Sequence, residues 1–269
     1  MKWFYLVLVA LSAPPSLALA QGEVADEKTI ERIIQQINLV PSLHARHQGQ
    51  PNLKGMPKYL AKKLAPYALD DMQSVDKERR RWQLDRDQYE RDHPLRAATF
   101  ETMVEMESVQ KLELRVVLLG GPITPKVKAT MLQEQAPIGM AIFKLEQILV
   151  QMRDVGEKRQ QEKSRVWLAN YDFALARLEA NLVFLYEYNF TLGTIRADNL
   201  PPLRAGDAGW RITSHPNLHI TEAKAKQFAQ DRARRLRAFR EEHAGTPWAF
   251  FADIEAGRLL GMEWTPAKE

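Results

Sequence analysis

The chain contains no cysteine, which excludes disulfides, zinc–thiolate sites, iron–sulfur clusters and cysteine nucleophiles. Serine is scarce. Beyond residue 20 only Ser42, Ser74, Ser108, Ser164 and Ser214 occur, and none lies in the Gly-x-Ser-x-Gly turn that presents a catalytic hydroxyl. Gly120-Gly121, with Lys126 and Lys128 beyond it, lacks the Gly-Lys-Ser/Thr of a phosphate loop and reads as a helix stop. No run after residue 20 approaches the about 18 uninterrupted apolar residues that a membrane helix needs. Charge of one sign is also lacking: 38 Lys and Arg face 34 Asp and Glu, a surplus of +4 over 269 residues, too small to imply nucleic acid. What is present, 45% hydrophobic and 27% charged residues, is close to a soluble globular average, so a packed core is expected.

The first residues decide the expected compartment. Met1-Lys2, the apolar run 3–11 and Ala18-Leu19-Ala20 before Gln21 supply the basic start, short apolar stretch and small-x-small site of a secretory signal peptide. Cleavage after Ala20 is expected, giving an exported, periplasmic protein with no integral membrane segment.

Apolar spacing then organises the chain. Ile30, Ile33, Ile34 and Ile37 fall at i, i+3, i+4 and i+7, predicting an amphipathic helix over 27–40 that Pro41 stops. Residues 42–57 read as a loop, 58–93 as a helix with a stripe of Met72, Val75, Trp82 and Tyr89, and 94–119 as another helix. Thr124-Pro125 is a cap and first-turn pair. It opens a register of Val127, Met131, Ile138, Ala141, Leu145, Ile148, Met152 and Val155 that keeps phase through Pro137, with Glu134 its polar member. Arg177, Lys144 or exposure at the proline would accommodate that carboxylate. Ser164 caps a second register, Leu168, Tyr171, Leu175, Leu178, Leu182, Leu185 and Leu192. Two such helices joined by a short turn form an antiparallel hairpin.

Residues 193–220 carry Pro201-Pro202, Gly206, Gly209 and Pro216 without a clear period and read as a long loop or linker. Thr221 is placed to cap a basic helix to about His243, and Thr246-Pro247 starts a last one through Leu259. Val116 to Leu119 is the one strand-like run, and no partner strand is evident. The expected architecture is therefore all-α: a leader (1–20), a helical bundle (21–192) built on the long hairpin, a linker (193–220) and a C-terminal helical hairpin (221–269).

His93-Pro94-Leu95-Arg96, Trp167-Leu168-Ala169-Asn170-Tyr171-Asp172, Tyr186-Glu187-Tyr188, Gly209-Trp210-Arg211, Gly245-Thr246-Pro247-Trp248-Ala249 and Leu260-Gly261-Met262-Glu263-Trp264 together resemble a family of uncharacterised exported bacterial proteins. The likeness spans roughly residues 93–266 and rests on packing and turn motifs. It implies a helical exported module and supplies no activity, cofactor or catalytic residue. The Gly-Thr-Pro-Trp turn is also similar to the turn of a tetratricopeptide-type hairpin; a single such unit supports a hairpin rather than a repeat array.

Candidate chemistry is sparse. His44 and His47 fall in a loop, and Pro216 argues against the helix that would put His215 and His219 on one face. Histidines alone would need a third ligand from elsewhere, so no metal or cofactor is expected. Between Thr221 and Glu242, Lys224, Lys226, Arg232, Arg234, Arg235, Arg237 and Arg240 outnumber Glu222, Asp231, Glu241 and Glu242. With Phe228, Leu236 and Phe239 turned inward, the arginines would face solvent. Arg232, Arg234, Arg235, Arg237 and Arg240 are then the candidate site for an acidic envelope protein or an anionic envelope polymer. The expected function is a non-enzymatic exported scaffold or binding module of the cell envelope. The alternative is an envelope hydrolase using acidic residues with a histidine of the 193–220 region, a reading that a cleft placing His215 or His219 beside carboxylates would favour.

Overall fold

The computed structural model describes residues 24–268 apart from 51, 54, 55, 60 and 68; the expected leader lies outside them. The elements run α1 (Glu27–Asn38), α2 (Leu43–Gln48), α3 (Ala61–Leu64), α4 (Leu69–Leu84), α5 (Arg86–Asp92), α6 (Pro94–Val109), β1 (Val117–Leu119), α7 (Pro125–Gly156), α8 (Arg165–Arg196), β2 (Gly209–His215), α9 (Ala223–Glu242), α10 (Pro247–Ala256) and β3 (Gly261–Ala267). Helix dominates, with 65% of the described residues against 7% in strands. A small three-stranded sheet completes the fold.

The hairpin forms where its spacing predicts. Thr124 caps α7 by accepting the Val127 N–H, and the helix runs through Pro137 without a break. Met131, Ile138, Leu145 and Met152 are buried along its inner face. The turn after α7 contains one short 3-10 helix, Arg159–Gln161, and Ser164 then caps α8 by accepting the Trp167 N–H.

Helix α8 is more than half of a hairpin. Every residue from 169 to 185 is buried, the condition of a helix enclosed on all sides, and α1, α2, α4, α6, α7, α9, α10 and β3 all pack against it. Its buried polar residues each hold a neighbour. Asn170 Nδ2 donates to Gln36 of α1, and Asp172 accepts from Arg159 of the turn. Arg177 pairs with Glu255 of α10 at 3.0 Å and donates to the carbonyl of Ile37 at 2.9 Å. Glu179 takes Arg153 of α7 at 3.1 Å and Arg235 of α9 at 3.2 Å. Asn181 accepts the Leu43 N–H of α2. Desolvated charges are tolerated only when paired in this way.

Five expectations need correction. The 42–57 loop contains α2, and α6 ends at Val109 rather than 119. Glu134 is held by Arg115, from the segment leading into β1, at 2.8 Å, not by Arg177 or Lys144. The N-cap of α9 is Glu222, without a side-chain cap bond, rather than Thr221. Most consequential, the fold is not purely α. The strand-like run at 117–119 has a partner: it pairs antiparallel with β2, Val117 opposite Arg211, and β2 pairs antiparallel with β3, Ile212 opposite Trp264 and His215 opposite Gly261. Trp210, Ile212, Met262 and Trp264 alternate into the core, as a one-sided sheet requires. The expected linker thus supplies the middle strand, and the expected C-terminal hairpin supplies an edge strand. Helices α9 and α10 pack on α8.

Candidate functional site

Three segments meet beside the C-terminal turns of α8. Asp198, in the left-handed region at φ 56, ends the helix, a conformation that aspartate tolerates better than most residues. The Asn199 N–H then donates back to the Thr194 carbonyl, and Pro201-Pro202 follows. The Trp210 Nε1–H donates to the Pro201 carbonyl at 2.7 Å and pins this wall to β2. β3 forms the opposite side, where the Trp264 Nε1–H donates to the Thr191 carbonyl at 2.9 Å. Between these segments lies an open cavity of about 570 Å³. Phe190, Leu200, Pro201, Pro202, Met262 and Trp264 make its apolar walls, and Thr191, Thr194, Asn199, His219 and Glu263 its polar groups.

Glu187 organises the floor. Its side chain is fully buried, and its carboxylate accepts the backbone N–H groups of His219 at 2.7 Å, Ile220 at 3.0 Å and Met262 at 3.2 Å. One acidic residue of α8 therefore fastens both the segment before α9 and the start of β3. His219 is oriented by the same centre. Its Nδ1 lies 2.9 Å from the Met262 carbonyl oxygen and 3.3 Å from Glu187 Oε1. A carbonyl only accepts, so Nδ1 carries the proton. In the neutral ring Nε2 is then the lone-pair atom.

The loop between β2 and His219 is held as closely. A Cβ on Gly261 would lie 1.8 Å from the Asn217 carbonyl oxygen and 2.8 Å from that of His215, so no larger residue fits without displacing this loop. The rings of His215 and His219 consequently stand 4.6 Å apart, and β3 brings Glu263 beside them. Chain spacing alone did not reveal this neighbourhood. The signal that would have found it is the two-residue alternation of Trp210 and Ile212 with Arg211 and Thr213, and of Met262 and Trp264 with Glu263 and Thr265.

The basic helix is spent differently from expectation. Arg232 does not face solvent: it is 4% exposed, and its guanidinium donates to the Glu255 carbonyl. Arg235 pairs with buried Glu179, Arg240 with Asp253 at 3.1 Å, and Arg234 with Asp231. Arg237 is exposed. Arg232, Arg237 and Arg240 line a groove of about 220 Å³ between α9 and α10 that Asp253 shares. Arg234, Arg237 and Arg240 do face solvent, Arg234 and Arg240 in exposed ion pairs, whereas Arg232 and Arg235 are turned to partners inside the chain.

Two other histidines lie in the core. His44 is fully buried, edge-on to Phe184 at 5.1 Å, with neither ring nitrogen hydrogen-bonded, and burial holds its pKa well below the ordinary value. His243 Nδ1 lies in hydrogen-bond contact with the Tyr67 hydroxyl at 2.6 Å, and burial lowers its pKa to about 4. Asp172, Glu242 and His243 form a second cluster, but both carboxylates are already bound by Arg159. Among the described residues no helix is long and apolar enough to cross a membrane. No family model, no curated protein and no solved structure matches this chain, so its function is read from the chemistry of the cleft.

Proposed function

We propose that the protein is an exported binding module of the cell envelope, and that the cleft between α8, the 197–202 segment and β3 holds its ligand. The observation that carries this reading is the cavity itself: a concave, aromatic- and proline-walled space of about 570 Å³ with a few polar groups at one side, within the range of small-molecule sites. Such a lining suits an amphipathic molecule whose alkyl or aromatic body lies against Trp264, Phe190 and Pro201. Its polar end would reach Asn199, His219 and Glu263. A non-catalytic role is supported by how the nearby polar groups are used. Glu187 is saturated by three backbone N–H groups, and the Thr194 hydroxyl donates to the Thr191 carbonyl.

The test is recovery of the ligand. The full chain is equilibrated with the small-molecule fraction of an envelope extract, re-isolated and denatured, and the released molecules are identified by mass spectrometry, in parallel with Thr194→Trp, which fills the cavity. An amphipathic molecule retained by the wild type and lost from the variant supports the proposal. Equal retention by both, or none by either, refutes it. A second reading, an envelope hydrolase, draws on His219 lining the cleft beside Glu263; recovery of a cleaved molecule would select it.

A further inference from the structure

The rim of the cleft carries a grouping from which the binding proposal takes two members, His219 and Glu263, only as polar contacts. His215, His219 and Glu263 can each bring one ligand atom to within 4.8 Å of the others. They come from the end of β2, the loop after it and β3, and Gly261 permits the close approach that unites them. We propose that His215, His219 and Glu263 bind a divalent transition-metal ion of the zinc class. Two imidazoles and one carboxylate are the donor set of zinc and non-haem iron sites that keep a position open for water or substrate.

The strongest support lies behind the ligands. A metal-bound imidazole typically donates its other N–H to a carbonyl or carboxylate, which fixes the tautomer and aims the lone pair. His219 meets this condition with both partners at once: Nδ1 faces the Met262 carbonyl at 2.9 Å and the buried Glu187 carboxylate at 3.3 Å. His215 Nδ1 accepts the Asn217 N–H at 3.2 Å and lies 3.1 Å from the Asn217 carbonyl oxygen; coordination through Nε2 requires the other tautomer, in which Nδ1 gives up the Asn217 N–H and donates to that carbonyl instead. Bonds of about 2 Å put the ligand atoms of a tetrahedral zinc site about 3.4 Å apart, so closure needs side-chain rotation of about an ångström. The Asp172, Glu242 and His243 cluster has no such case, because Arg159 already supplies its cation. Glu263 is the third ligand that the two histidines lacked in the sequence, and the sheet delivers it.

The experiment is calorimetric titration of zinc chloride into the untagged, metal-stripped full chain, and into His215→Ala and Glu263→Gln. Neither substitution touches the Glu187 hydrogen bonds, and far-UV circular dichroism with a melting curve verifies that each variant is folded. The expected result is saturable uptake of one ion per chain with a dissociation constant of about 1 μM or tighter, weakened about tenfold or more in both variants, and no competition from magnesium. Failure of the wild type to take up zinc, or uptake unchanged in both folded variants, overturns the proposal. Ligand recovery in the cleft does not depend on this outcome, so the two proposals fail separately.

Discussion

At the scale of single residues, the most informative side chain is Glu187, an acid with no exposed surface that accepts three backbone N–H groups from two distant segments. Glutamine keeps its volume but offers one oxygen and an NH2 that cannot accept, so Glu187→Gln is expected to cost about 3 kcal/mol. Urea unfolding would measure this, and hydrogen exchange should show the Ile220 and Met262 amides losing protection while the middle of α8 keeps it. A second residue-scale prediction concerns acid. His243 has an ordinary pKa of 6.5 that burial lowers to about 4 in the folded chain. Between those values the unfolded chain binds a proton that the folded one refuses, so the contribution of His243 is complete above about pH 6.5 and is lost as pH falls toward 4. The gap corresponds to about 3 kcal/mol, and burial of His44 acts in the same direction. Stability measured from pH 7 to 4 should fall steeply, and His243→Gln should flatten the fall. Neither role was legible in the sequence: Glu187 sits in a helical stretch as any surface acid would, and His243 follows a charged helix end.

At the scale of elements, the long helices were legible because nothing opposes their signals. Thr124 and Ser164 cap where they stand, and the 3,4 spacing of α7 survives Pro137. The run that forms β1 was legible but its pairing was not, and β2 was missed because it lies among prolines and glycines; such pairing is decided by distant partners. The depth of α8 was missed for a related reason. A leucine register marks one face, whereas the other faces of α8 mix apolar residues such as Phe173, Ala176, Val183 and Phe184 with polar ones that become buried only through partners elsewhere in the chain. Glu255 of α10 shows how much rests on such pairing. It faces Arg177 at 3.0 Å and Arg258 at 3.5 Å, all three side chains being at most 7% exposed, while Arg232 donates to its carbonyl. Removing the one carboxylate leaves guanidinium groups buried without compensation, so Glu255→Gln is expected to destabilise the protein by about 3 to 5 kcal/mol. Arg240→Gln, which breaks the exposed pair with Asp253, should change stability by less than about 1 kcal/mol. Chemical denaturation of the two variants side by side would measure the contrast.

At the scale of the whole molecule, α8 serves as a scaffold on which the sheet and the helices are hung, and the cleft forms where its last turns meet the sheet. The apolar walls come from residues that packing alone would justify, which is why the sequence pointed to a basic helix instead: charge excess is visible in a linear chain, and concavity is not. The central claim, that this cleft is a ligand site, is tested most directly by equilibrium titration of wild type and Thr194→Trp with 1-anilinonaphthalene-8-sulfonate, a small molecule with an aromatic body and an anionic end. The wild type should show a single saturable site with fluorescence transfer from tryptophan, and the folded variant should lose it. Saturable binding of equal strength in both proteins, or none in the wild type, would contradict the claim.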